Sequence, residues 1–165
     1  MDTKDQNSWD QHRYYMGLDW AKQEHAIAVV DGDGRIMAET TIEHTAEGWH
    51  RLREKLIALA GPDLSLVAAT IETNRGPVVE RLLELGCVVY PINPNAAKCY
   101  RSRKAPSGSK TDRLDALSFA DALRTDGHGW RPLNPEDPKT QELRLLCRDE
   151  MSLIEQRTTL VNQLQ

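Results

Sequence analysis

From Leu64 to Glu72 the chain reads LSLVAATIE, and from Cys87 to Ile92 it reads CVVYPI. Both runs are almost continuously apolar, with no alternation between a wet and a dry face. Strands of that kind lie in the middle of a sheet with both faces covered. Pro77 to Leu85 reads as a short helix between them, closed by Gly86. Such a helix can carry the chain from one strand to a parallel neighbour.

The segment before these runs has a different pattern. Tyr14–Trp20, His25–Asp31 (HAIAVVD) and Arg35–His44 (RIMAETTIEH) are β-rich and closely spaced. Asp31-Gly32-Asp33-Gly34 is a hairpin signal, because glycine accepts the positive φ of tight turns. The three strands are therefore expected to form an antiparallel meander. The same turn resembles the start of a calcium loop but lacks the later ligands and closing Glu. Thr45 can cap a helix carrying Trp49, Leu52, Leu56 and Leu59 on one face, ended by Gly61-Pro62. Further helices are expected over Asn93–Tyr100 and Thr111–Leu123, separated by the flexible break Ala105–Ser109. The expected domain organisation is a disordered lead over 1–13, a globular domain over 14–127, a Pro- and Gly-rich linker over 128–138, and one long helix over 139–165. That helix sets Leu146, Leu153 and Leu160 seven apart, with Leu143 and Leu164 on a second seam broken by Glu150 and Arg157. It reads as the start of a coiled coil. It also reaches the last residue without a stop signal, so the chain reads as part of a longer protein.

Composition narrows the function classes. In 165 residues, 39% are hydrophobic and 28% charged, which is enough for a core and argues against wholesale disorder. No apolar run approaches the roughly 18 residues of a membrane span, and residues 1–13 contain no apolar signal core. Cys87, Cys99 and Cys147 are odd in number and widely spaced, which excludes a disulfide framework or a zinc ribbon. They are expected as small buried hydrophobes in a reducing, cytoplasmic setting. His25, His44 and His50 meet no zinc spacing and are expected in packing or surface roles. Trp20 is expected beneath the site, Trp49 in the core, and Trp130 as an anchor for the linker.

Four acids stand at telling positions. Asp19 closes the first strand and Glu72 the fourth. Asp112 and Asp115 are three apart near the start of a helix, so their carboxylates share one face. Together they can converge on one spot, where their mutual repulsion is tolerated if divalent cations sit among them. An all-oxygen donor set suits Mg2+, or Mn2+ in its place, and a pair of such ions supports phosphodiester cleavage. Five basic residues, Lys98, Arg101, Arg103, Lys104 and Lys110, lie between positions 98 and 110 without an intervening acid, and Arg113 follows. A basic segment leading into a carboxylate cluster is what a nucleic-acid backbone requires, although the overall net charge is −4.

These residues resemble the DEDD-type transposases of bacterial insertion sequences, the group that includes the Piv DNA invertases. The stretches that carry the resemblance are GLDWAKQEHAIAVVDGDG (Gly17–Gly34), the Glu of ATIETN, YPINPNAAKCYR (Tyr90–Arg101) and KTDRLDA (Lys110–Ala116). The RuvC Holliday-junction resolvases look like more distant relatives. The order β-β-β-α-β-α-β-α agrees, because an RNase H-like fold begins with three antiparallel strands and adds the later ones in parallel. The resemblance implies that Asp19, Glu72, Asp112 and Asp115 are the catalytic, metal-holding tetrad. It implies phosphate contacts for Lys110 and Arg113, DNA as substrate, and, in some members, a structured guide RNA. It also implies a homo-oligomer built through the C-terminal helix, and a further domain carrying a serine nucleophile. Without that domain, this segment is expected to bind metal but not to complete recombination. After Glu72 the family commonly has Thr-Gly and an aromatic; here the chain has Thr73-Asn74-Arg75-Gly76-Pro77.

Other readings of the same residues stand beside this one. A resolvase-like nuclease would use the same acids. A sugar-kinase or actin-like ATPase half would share the topology, but it needs a Gly-rich phosphate loop after the first strand, and Trp20-Ala21-Lys22-Gln23-Glu24 supplies none. A non-catalytic module would use the basic segment to bind RNA and the final helix to dimerise.

Overall fold

The structure is a computed structural model, and it describes residues 9–104, 111–134 and 138–163. Three strands come first: β1 (Tyr14–Trp20), β2 (Glu24–Asp31) and β3 (Ile36–Glu43). Helix α1 (Ala46–Ala60) follows, then a short 3-10 turn (Leu64–Leu66) and β4 (Val67–Ile71). The chain continues through α2 (Pro77–Glu84), β5 (Val88–Pro91), α3 (Pro94–Lys104) and α4 (Asp112–Asp126). A final helix, α5 (Pro138–Gln163), belongs to a separate unit that begins at Asn134.

The five strands form one sheet in the order β3-β2-β1-β4-β5. β1 pairs antiparallel with β2, and β2 with β3, while β4 runs parallel to β1 and β5 parallel to β4. This is the RNase H-like arrangement that the order of elements predicts. The β2–β3 turn forms as expected. Asp31 accepts from the backbone N–H groups of Asp33 and Arg35 through Oδ1, and Gly34 takes a φ of 82°. Thr45 caps α1 by accepting from the Gly48 N–H at 3.1 Å.

Alternation along each strand divides the core in two. Met16, Leu18, Ile27, Val29, Ala69, Ile71 and Val89 point to one face, where Trp49, Leu52 and Leu56 of α1 and Val79 and Leu82 of α2 cover them. The other face receives α4. Here β1 and β2 present Gly17, Ala26 and Ala28, and the helix answers with Ala116 and Ala120. These small side chains let the helix backbone lie directly on the sheet. A Cβ built on Gly17 would fall 2.0 Å from the Ala116 carbonyl oxygen and 2.5 Å from the Ala120 nitrogen.

The amino-terminal part departs from expectation. Residues 9–13 were expected in a disordered lead, yet Trp9 packs against the rings of His12, Tyr15 and Tyr90. His12 is buried, with Nδ1 3.1 Å from the Ser65 carbonyl oxygen and Nε2 2.9 Å from the Tyr90 hydroxyl. An amphipathic tryptophan and a neutral imidazole give this short segment enough buried area and polar partners to order it. Cys87 is buried as expected, and burial pushes its thiol up to about 12. Cys99 of α3 and Cys147 of α5 are exposed, contrary to expectation.

Gly17→Ala should destabilise the domain by about 2–3 kcal/mol, because the close helix–sheet approach cannot admit a methyl group. Gly32→Ala, with nothing within 4 Å of the added carbon, should stay within about 0.5 kcal/mol of the parent protein. Urea denaturation of both variants checks the contrast. Burial lowers the affinity of His12 and His25 for a proton, so the unfolded chain binds protons more readily than the folded one. The contribution of these two histidines to stability should be full above the unfolded histidine pKa of about 6.5 and decline as pH falls below it, against the opposite contribution of Asp19, whose carboxyl is raised to about 6. His12→Gln should flatten that decline between pH 7 and 5; an unchanged slope would remove His12 from the account.

Candidate functional site

β1 and β4 are parallel neighbours, with Leu18 paired to Ile71. The next residue on β1 is Asp19, and the residue following β4 is Glu72, so both acids emerge at the same carboxyl edge of the sheet. By the parity that sends Tyr15 and Gly17 towards α4, Asp19 points to that helix too. Above it, Thr111 caps α4 by accepting from the Leu114 N–H at 3.2 Å. Asp112 and Asp115 fall in the first turn, where the helix dipole favours negative charge. Asp115 is only 4% exposed and Asp19 is half-buried, whereas Asp112 stands at the surface.

The four acids share one electrostatic environment. Burial raises the Asp19 carboxyl to about 6; Asp115, Asp112 and Glu72 each push in the same direction, and Arg101 opposes them. Arg101 comes from α3 and reaches two of the acids. It donates from Nη2 to Glu72 Oε2 and sets Nε 3.1 Å from Asp115 Oδ2. The second contact is a charge pair without hydrogen-bond alignment, so the buried Asp115 Oδ2 has no directed partner. The Arg101 guanidinium also lies 4.9 Å from the centre of the buried Phe119 ring.

Among the described residues, no three Asp, Glu, His or Cys side chains stand together in coordinating geometry. The donor set nevertheless suits a hard divalent cation. Every candidate ligand atom is a carboxylate oxygen, one of them is buried without a directed hydrogen bond, and the Asp19 carboxyl gains from any positive charge brought beside it.

The basic residues are distributed differently from the simple expectation of a phosphate-binding run. Arg101 faces inward to the acids. Lys104 Nζ lies 2.9 Å from Asp121 Oδ2. Arg113 forks onto Glu39 of β3, donating from Nε at 2.8 Å and from Nη2, and holds the Glu39 carboxyl below its usual range. Arg103 lies 6.0 Å from the Tyr100 ring centre, and its side chain and that of Lys98 are exposed. Lys110 lies outside the described residues. Periodicity could not separate these roles, because the acids that capture Arg101, Lys104 and Arg113 are distant in sequence.

Three neighbouring features complete the site. Trp20, expected beneath it, is 49% exposed, because the position after Asp19 points to the opposite face at the end of the strand. Sequence reasoning missed the prop behind the following loop: His25 Nδ1 accepts from the Ala21 N–H at 3.3 Å, and its Nε2 lies 2.9 Å from His44 Nδ1. The divergent loop after Glu72 closes on itself, with Thr73 Oγ1 donating to the Arg75 carbonyl and Gly76 taking a φ of 111° before α2.

Comparison with known proteins places this chain in a family. Residues 16–165 match the family model described as transposase, of the IS110 type with the DEDD signature. The chain is 38% identical over 156 residues to y4uE of Sinorhizobium fredii, described as a candidate transposase, covering 94% of this chain and 44% of that protein. It is 34% identical over 149 residues to the mini-circle candidate transposase for IS117 of Streptomyces coelicolor, covering 90% of this chain and 36% of that one. The chain thus spans less than half the length of these relatives. A solved structure of T. thermophilus RuvC in complex with a Holliday junction substrate aligns with a TM-score of 0.48 at 16% identity, over 74% of this chain and all of that one. The fowlpox virus resolvase, solved with Holliday junction DNA, aligns at 0.41 and 13% identity, over 70% of this chain and 96% of that one. On the match of the family model over nearly its whole length, this chain belongs to the IS110-type DEDD transposase family.

Proposed function

We propose that this chain is the catalytic domain of a DNA recombinase of insertion-sequence type, in which Asp19, Glu72, Asp112 and Asp115 hold Mg2+ or Mn2+ for strand cleavage and transfer. One observation supports this reading: Asp115, Asp112 and Glu72 all act electrostatically on the half-buried Asp19, and Asp115 Oδ2 is buried without a directed hydrogen bond. Divalent ions held there would activate the attacking hydroxyl and offset charge on the leaving oxygen. The chain's own contribution is placement. Asp19 and Glu72 follow the paired Leu18 and Ile71 at the carboxyl ends of neighbouring strands, and Asp112 and Asp115 lie in the capped first turn of α4, which supports a shared role. Asp115 has little freedom, because it is buried between Arg101 and the sheet.

Family membership supports DNA as the partner, and the exposed Lys98 and Arg103 of α3 offer charge for its phosphates. In the separate α5 unit, Leu146, Leu153 and Leu160 are exposed at seven-residue spacing, with Ile154 and Val161 beside them. That stripe supports pairing with a second copy of the chain. A structured guide RNA, which rests on the family resemblance, and a cytoplasmic setting, which rests on the unpaired cysteines, belong to the same proposal.

A crystal soaked in Mn2+ should show anomalous density between Asp19, Glu72 and Asp115, and the Asp19→Asn crystal should lose it. Density elsewhere only, with this cluster empty, would refute the assignment of the site. In the family-length protein that contains this domain, Asp19→Asn or Asp115→Asn should reduce DNA strand cleavage roughly 10³-fold, the several kcal/mol of barrier that metal-ion catalysis supplies. Cleavage at the parental rate would favour the non-catalytic binding module.

A further inference from the structure

Arg101 is placed where a cation belongs. Its guanidinium touches two of the four acids, Glu72 through Nη2 and Asp115 at 3.1 Å through Nε. The group is only 24% exposed, so water serves it poorly and the carboxylates carry most of its compensation. The Phe119 ring, 4.9 Å away, gives the planar fork a flat surface to rest on. The carboxylates it engages, Glu72 and Asp115, are also two of the proposed metal ligands. A guanidinium and a metal ion cannot both occupy that space.

We infer that Arg101 is an internal counter-ion that competes with the metal: it neutralises the carboxylate cluster in the metal-free domain and must swing out for a divalent ion to bind. This rests on the metal-site reading proposed above, and it assigns Arg101 a positioning role rather than a direct part in the chemistry. The two binding events are then negatively coupled. Removing the guanidinium raises metal affinity by the strength of the coupling, and metal binding frees the guanidinium. The device has a structural purpose, because four carboxylates without a counter-charge would push α4 away from the strand ends.

The test uses the chain in chelator-treated buffer, titrated with MnCl2 by calorimetry. Arg101→Gln should bind Mn2+ about 5- to 150-fold more tightly than the parent, the usual range of coupling between two sites. Arg101→Lys, which keeps the charge but loses the fork, should fall between them, and Asp19→Asn should bind more weakly than the parent. Equal or weaker Mn2+ binding by Arg101→Gln, with Asp19→Asn still impaired, would overturn the competition while leaving the metal site in place. If neither the parent nor Arg101→Gln binds Mn2+ better than Asp19→Asn, the metal site itself fails and the inference falls with it. A second measurement needs no loss of charge. The Arg101 Nε–H resonance of the parent chain, assigned by its disappearance in Arg101→Lys, should move towards the position of a free arginine as Mg2+ is added. A resonance unmoved at saturating Mg2+ would overturn the inference even if Arg101→Gln does not fold.

Discussion

The close approach of α4 to β1 is the constraint on which the site depends. A helix packed on a sheet through large side chains stands about 10 Å away, and a carboxylate on its first turn would then reach the strand end with difficulty. Gly17 removes the obstacle at the crossing point, and Ala116 and Ala120 remove it from the helix side. The helix therefore lies close enough for Asp115, one residue before Ala116, to be buried beside the end of β1. The residue that closes β1, Asp19, comes two positions after Gly17 on the same face. Thus one spacing, Gly-x-Asp on a strand facing Asp-Ala on a helix, sets both the packing and the position of the acids.

That packing carries an electrostatic cost. Bringing Asp19, Glu72, Asp112 and Asp115 together raises Asp19 to about 6, through burial first and then through its acidic neighbours. Acids held this close are therefore strained, in the ordinary sense that a functional site is maintained at the expense of stability. Arg101 offsets part of this strain from outside the tetrad, and the aromatic surface of Phe119 steadies it. Cluster and counter-ion form one unit, and a description limited to the four acids would omit half of its charge balance.

Much of the fold was legible because it is local. The turn at Asp31–Gly34, the Thr45 cap and the two continuous apolar strands follow from residues within a few positions of each other. The placement of Asp19 and Glu72 at strand ends was also readable, since parity along a strand and strand order decide it. The contacts that sequence did not reveal are those whose partners lie far apart. Arg101 looked like one cation among five until α3 turned it towards Glu72 and Asp115. Arg113 looked like a phosphate ligand, yet it finds Glu39 across 74 positions. The segment 9–13 looked polar, and only the pocket formed by Tyr15, Ser65 and Tyr90 shows why Trp9 and His12 are held. Trp20 misled because strand alternation continues past the acid and turns the indole outward.

The tethers of α3 decide what kind of movement the site allows. Tyr100 donates to Asp126 near the end of α4, and Lys104 pairs with Asp121 one turn earlier. Arg101 thus lies on a helix held to α4 by contacts on both sides of it. Releasing its guanidinium from Glu72 and Asp115 does not require α3 to move, because the long flexible side chain can rotate away while the helix stays in place. Rotamer changes of partly exposed side chains are fast compared with helix displacement. Movement of the Arg101 side chain is thereby separable from movement of the strand ends and α4, which hold the acids in position.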